Sequence, residues 1–266
     1  MVNYFQAIVS SFTVWFRLHS GILTIFVTIF LTGQFINMNL IVIEGLDGAG
    51  KSTQIKLLQE YFEKSNIPSR YLHFPRTDSP YFGELISRFL KGDFGRLEDV
   101  NPYLVAMIYA GDRKDASVEI RRWLSSGMTV ILDRYVYSNI AYQCAKIDNK
   151  DERVRLKKWI FDLEFNHFGI PRPDLNIFLD VTFEFTASKL MNDRKGTDRN
   201  YLDGNSDIHE NSLKFQRSVR DVYLDASKSD ETLQIVNCSD TEGRMLAPEG
   251  ISVKIIQLLV RKGLAR

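Results

Sequence analysis

The sequence predicts an α/β fold, a five-stranded parallel sheet flanked by helices, and two observations predict it. From residue 38 onward, short apolar runs alternate with stretches of helical periodicity, the order that parallel strands and their helical crossovers require. A glycine-rich turn at residues 45–52 stands between the first apolar run and the first helical stretch. In that setting a loop and the N-terminus of a helix together bind anions. The chain has 266 residues and 44% hydrophobic side chains, enough for a sizeable core in one or two domains.

Residues 40–44 (LIVIE) read as a buried strand and residues 52–64 as the helix after the glycine turn. The second strand is expected over 69–74. A helix over 81–91 puts Leu85, Ile86, Phe89 and Leu90 on one face, and Gly92 and Gly95 end it. The long helix over 102–125 opens on Pro102, whose missing N–H costs nothing in a first turn. The third strand is 129–132 (TVIL). Helices over 138–146 and 151–168 follow, the second broken by the PRPD stretch from Pro171. A fourth strand over 176–181, a fifth over 233–237 and a last helix over 249–261 complete the pattern. No repeat or low-complexity linker interrupts it, so one domain is expected over residues 38–266.

The leader is different in character. No acidic residue precedes Glu44, and residues 20–36 carry no charge, a length at the lower edge of what spans a hydrocarbon core. One upstream Arg17 and no A-x-A site make a poor cleaved signal. A membrane anchor and an extra packed helix are both open readings. We favour a third, an over-extended start with the functional chain beginning at Met38, directly before the first strand. The net charge of +1 gives no field toward nucleic acid or anionic membrane. Two distant cysteines, Cys144 and Cys238, fit a reduced, cytoplasmic setting.

Gly45-Leu46-Asp47-Gly48-Ala49-Gly50-Lys51-Ser52 fits G-x-x-x-x-G-K-[ST] in full. The glycines let successive N–H groups turn toward phosphate oxygens, Lys51 reaches the β- and γ-phosphates, and the Ser52 hydroxyl suits magnesium. The fold expected is therefore that of the P-loop NTPases, with ATP held by residues 45–52 and Thr53. A guanine-specific hydrolase needs N-K-x-D, and Asn149-Lys150-Asp151 lacks the spacer. A kinase instead needs a second set of groups for its acceptor.

Four places offer one. Phe74-Pro75-Arg76 ends the second strand, and Asp133-Arg134-Tyr135 ends the third. Tyr109 and Arg113 share a face of the long helix at i, i+4, and Asn139 and Tyr142 are neighbours at i, i+3. Ligands of open α/β sheets sit beyond the carboxyl ends of the strands, so these groups should converge with the P-loop on one cleft. Arginines for a phosphate dianion, an aromatic ring for stacking and an Asn for a base edge together suit a nucleoside monophosphate.

On these residues the chain resembles the thymidylate kinases over essentially all of 38–266. The marks are Glu44 to Gln54 around the P-loop, Phe74-Pro75-Arg76, Asp112-Arg113, Asp133-Arg134-Tyr135, Ser138-Asn139 with Ala141-Tyr142, Pro171-Arg172-Pro173-Asp174, and Asp207-Ile208-His209-Glu210. The resemblance implies phosphorylation of dTMP to dTDP with ATP and Mg²⁺, a step in dTTP biosynthesis, by a homodimer. It implies that Arg76 and Arg134 grip the acceptor phosphate, that Tyr109, where the family usually has Phe, stacks on thymine, and that Phe74 is among the dTMP-binding residues. Arg113 and Asn139 would read the base edge and Tyr142 would sit against the sugar. Asp47 would meet the 3′-hydroxyl or a magnesium-bound water, with Ser52 and Asp133 as the metal's protein groups. The charged segment 192–201 would be a lid. With no Arg at Gly48 or Ala49, its Arg194 or Arg199 would join Lys51, Asp47 and Arg134 in catalysis. Two rivals remain: another nucleoside or nucleotide kinase, and a membrane-tethered P-loop binding protein.

Overall fold

In a computed structural model of the chain, described over residues 39–97, 99–182, 184–186 and 213–265, five parallel strands lie side by side in the order β2-β3-β1-β4-β5. The strands are β1 (Leu40–Gly45), β2 (Ser69–His73), β3 (Thr129–Asp133), β4 (Leu175–Asp180) and β5 (Leu233–Asn237). All neighbours pair in parallel. The three central strands are buried nearly throughout, while edge strands β2 and β5 are partly exposed. A strand covered on both faces is apolar at nearly every position, which is why residues 40–43 (LIVI) and 130–132 (VIL) read as continuous runs.

Helices α1 (Lys51–Lys64), α2 (Phe82–Lys91), α3 (Pro102–Ser125), α4 (Val136–Cys144), α5 (Lys150–Phe161), α6 (Leu213–Ser227) and α7 (Pro248–Arg261) flank the sheet. α1 and α7 pack together, and α4 packs against α3, α5 and α6. Leu40 to Ile43, Val130 to Leu132, Leu175 and Ile177 to Leu179 supply the centre of the core. The PRPD stretch does more than stop a helix. Asp174 Oδ2 accepts from Leu40 N at 2.8 Å, and Asp174 N donates to Leu40 O at 2.9 Å, so it fixes where β1 enters the sheet.

Three elements depart from expectation. α4 starts at Val136, two residues early, because Glu44 caps its first turn from another strand. α5 ends at Phe161 and widens into a π-helical segment, Asp162–His167, in place of a uniform helix to 168. α6 was not predicted at all. Its buried stripe is Gln216, Val219, Tyr223 and Ala226, which opens on an amide and is thin in aliphatic side chains. Every described residue lies in one compact unit, Met38–Arg266. The leader, Arg194, Arg199 and 207–210 fall outside the described residues. Among those described, no helix is long and apolar enough to cross a membrane.

Candidate active site

The carboxyl ends of β1, β3 and β4 open where the connections leave in opposite directions, β3 on one side of β1 and β4 on the other. A ligand crevice belongs at such a point. The glycine-rich turn lies there. Gly48 and Gly50 hold φ of 74° and 80°, in the left-handed region where a Cβ would be strained. With that curl, Lys51 Nζ turns back and donates to Leu46 O at 3.1 Å and Gly45 O at 3.4 Å. Burial pushes the Lys51 pKa below the ordinary lysine value and Arg134 adds to this, opposed by Asp133, Asp47 and Glu44. A cation so placed gains from an anionic ligand. Ser52 and Thr53 are exposed in the first turn of α1.

Glu44, fully buried at the end of β1, organises the opposite wall. Its Oε1 accepts from Tyr135 N at 3.0 Å and Ser138 N at 3.2 Å, the orphan donors at the start of α4. Its Oε2 accepts from Ser138 Oγ at 2.5 Å and from Tyr223 Oη at 2.8 Å. A carboxylate at a helix N-terminus satisfies donors and meets the positive end of the dipole. Burial raises the Glu44 pKa, while the bonds from Ser138 and Tyr223, with Arg134 and the Tyr135 amide, hold it down.

Arg134 follows β3 directly. Its backbone takes φ 65°, uncommon outside glycine, and its N–H donates to Ile43 O at 2.9 Å. Such strain costs about 1–3 kcal/mol and persists only where the surroundings hold it. Here they do: Nη1 donates to Ser138 Oγ at 3.2 Å, Nη2 donates to Asp47 Oδ1 at 2.5 Å, and the guanidinium lies 5.2 Å from the Tyr142 ring centre. Tyr142 Oη donates to Asp47 Oδ2 at 2.7 Å, and Gln216 Nε2 donates to the same oxygen at 3.2 Å. Asp47, Arg134 and Tyr142, chosen from three separate motifs, thus form one cluster. Gln216, and Phe215 packed edge-on to Tyr142 at 6.1 Å, join it from α6.

Arg76 is held by Asp112. Its Nε donates to Asp112 Oδ1 at 2.8 Å, its Nη2 to Asp112 O at 2.9 Å, and its backbone N–H to Oδ2 at 2.9 Å. α3 can bring Asp112 this close because Gly111 lets the Phe82 ring lie where a Cβ would stand, 2.2 Å from the nearest ring atom. Phe74 is buried against the Tyr135 ring at 5.8 Å and so lines the wall from behind. Tyr109 is half-buried and meets Phe89 edge-on at 6.5 Å.

Arg113 and Asn139 lie deeper than two base-reading groups on a helix face would suggest. Both are anchored to Glu164, the one buried residue of the π-helical segment. Arg113 Nε donates to Glu164 Oε2 at 2.5 Å and Nη2 to Oε1 at 2.8 Å. Asn139 Nδ2 donates to the same Oε1 and to Ala106 O, each at 3.0 Å. Burial opposes the Arg113 charge, but Glu164 beside it leaves the guanidinium pKa above the ordinary value. Sequence reasoning missed Glu164, because a lone acid in a helical stretch reads as a solvated face.

Asp133 ends β3. Its Oδ2 lies 3.2 Å from His73 Nδ1, and its Oδ1 is buried with no hydrogen-bond partner among the described residues. Burial alone would raise its pKa, but Lys51, then His73 and Arg134, bring it below the ordinary aspartate value. A spare carboxylate oxygen at the end of β3 and an exposed Ser52 hydroxyl in the first turn of α1 are the group types that suit Mg²⁺, which takes few protein ligands and keeps phosphates and waters in its shell. No group of three or more His, Cys, Asp or Glu that could hold a metal occurs among the described residues.

A sequence model of the family described as thymidylate kinase matches residues 43–245. A probable thymidylate kinase of Thermococcus kodakarensis is 32% identical, the match covering 75% of this chain and 89% of that one. The thymidylate kinase of Mycobacterium tuberculosis is 33% identical over 56% of this chain and 69% of its own length. A solved thymidylate kinase from Candida albicans superposes with a TM-score of 0.62 at 27% identity, covering 85% of this chain and 92% of that one. The matched span runs from the end of β1 past β5, and takes in the P-loop, the Asp47–Arg134–Tyr142 cluster and the Arg113–Glu164–Asn139 anchor. This chain belongs to the thymidylate kinase family.

Proposed function

We propose that the site transfers the γ-phosphoryl group of ATP to dTMP, giving dTDP and ADP. The observation that carries it is the joining of a phosphate-binding loop to an acceptor wall through Asp47, which lies in the loop yet binds Arg134 and Tyr142. An acceptor phosphate held by Arg134 and Arg76 would then face a donor phosphate held by Lys51 and the loop amides. An oxygen of the acceptor phosphate forms the new P–O bond as the bond from the γ-phosphorus to the bridging oxygen of ADP breaks. The attacking oxygen is already anionic, so no general base is needed. Positioning and charge neutralisation carry the step. A bound Mg²⁺, held by Ser52 and through water by Asp133, would neutralise donor phosphate charge. Arg194 or Arg199 of the lid segment would add cationic charge to the transferring group.

An acceptor panel with ATP-Mg and the full chain tests this. We expect kcat/KM for dTMP to exceed that for dCMP, dAMP, dGMP and unphosphorylated thymidine by on the order of 10²-fold or more. Equal or better turnover of thymidine or another monophosphate overturns the assignment.

The enzyme is further proposed to be a cytoplasmic homodimer. Both cysteines are free and buried, which fits a reducing setting. On α3, Leu104, Met107 and Val118 fall on one face and are 61%, 45% and 73% exposed, an apolar stripe suited to a second copy. Sedimentation velocity should give a dimer for the wild type and a monomer for Leu104→Glu. A wild type that stays monomeric at micromolar concentration removes this part of the proposal.

A further inference from the structure

With dTMP as the acceptor, as proposed above, we infer that Glu164 sets the pyrimidine choice by fixing which atoms Asn139 and Arg113 can offer a base. A carboxylate only accepts hydrogen bonds, and so does a backbone carbonyl. Asn139 stands between two such groups, Glu164 Oε1 and Ala106 O, each 3.0 Å from its Nδ2. Turned over, the amide would set its oxygen against both, so one orientation is enforced. Both Nδ2 donations are thereby used inside the protein. The polar atom left to Asn139 is Oδ1, buried and with no partner among the described residues. Asn139 is therefore held as an acceptor.

Glu164 constrains Arg113 in the same way. It takes Nε and Nη2, which fixes the plane of the guanidinium and leaves Nη1 to donate elsewhere. One acceptor and one donor, held by the same Glu164 carboxylate, make a complementary pair for thymine, whose N3–H donates and whose C4 carbonyl accepts. Cytosine inverts both, with a lone pair at N3 and an amino group at C4. Against cytosine, Asn139 Oδ1 would meet a lone pair and Arg113 would meet N–H. A site built to pair such groups rejects the analogue that leaves them unpaired far more strongly than a difference in apolar size would allow. The π-helical segment carries this acid, and such segments cluster at functional sites. Glu164 touches neither reacting phosphate, so it is a positioning residue that acts through Asn139 and Arg113.

The test is Glu164→Gln in the full chain, with kcat and KM measured for dTMP, dUMP and dCMP. Gln keeps the shape but is neutral and can offer an N–H, so one of the two acceptors that hold the Asn139 amide is lost, only Ala106 O still opposes its turning over, and Arg113 loses its charged partner. We expect the dTMP-over-dCMP ratio of kcat/KM to fall at least about tenfold. The dTMP-over-dUMP ratio should stay within about twofold, because uracil presents the same N3–H and C4 carbonyl. A loss shared equally by all three acceptors would mean that Glu164 only stabilises the fold, and the inference is then wrong. Should Glu164→Gln not fold, Glu164→Asp keeps the buried charge but is too short to hold both partners. It should lower the dTMP-over-dCMP ratio at least about threefold, and an unchanged ratio overturns the inference. A wild type that prefers dCMP would instead defeat the proposed acceptor itself.

Discussion

Lys51→Ala removes phosphoryl transfer to every acceptor, with kcat reduced by about 10³-fold or more. The expectation follows from where the cation sits. Lys51 is buried in the curl of the loop, and its ammonium is held by two backbone carbonyls, which are neutral partners. Its pKa is depressed chiefly by burial, so the charge is poorly satisfied until an anion arrives. An anionic phosphoryl group at the loop would supply what the carbonyls do not. As charge spreads over the transferring group, that attraction strengthens in the transition state, where it lowers the barrier. Truncation to Ala also deletes a stem that packs near Gly45, so Lys51→Met is the companion, keeping the stem without the charge. Both variants should lose turnover alike, and thermal melts should show both folded. A Lys51→Met enzyme within tenfold of wild type would remove the loop from the chemistry.

The sheet was legible because its signals are local. Continuous apolar runs mark β1 and β3, which are covered on both faces, and the loop is a contiguous motif. The cluster around Asp47 was legible in part. Arg134, Tyr142 and Asp47 each sit in a recognisable pattern, but their mutual hydrogen bonds depend on a strand crossover that no local pattern encodes. What stayed hidden shares one property, that a polar side chain does buried work. α6 was missed because its stripe opens on Gln216 and turns on Tyr223, whose hydroxyl serves Glu44 and not an apolar contact. Glu164 was missed because its meaning lies in Arg113 and Asn139, far away in sequence and on two other helices. Hydrophobic periodicity reports apolar burial; it is silent about a buried carboxylate whose partners come from elsewhere in the fold.

Arg134→Ala should leave ATP bound and abolish use of the acceptor. The guanidinium spans Ser138, Asp47 and Tyr142, so its removal deletes the cation on the acceptor wall while Lys51 and the loop remain. Loss of one partner from a close, largely desolvated charge pair costs about 2–5 kcal/mol, which corresponds to roughly 30- to 4,000-fold in kcat/KM for dTMP. ATP affinity, read by isothermal titration, should change less than about threefold, because Tyr142 and Gln216 still hold Asp47 Oδ2. A parallel loss of ATP binding would place Arg134 on the donor side. Backbone strain separates this chemistry from stability. Arg134 sits at φ 65°, where Ala keeps the offending Cβ and Gly does not. Arg134→Gly should be as inactive as Arg134→Ala yet melt at the same or a higher temperature. Arg134→Lys should recover part of the activity, since it restores the charge without the fork that meets Ser138 and Asp47 together. A glycine variant that turned over dTMP would mean that the strained backbone, and not the guanidinium, shapes the acceptor wall.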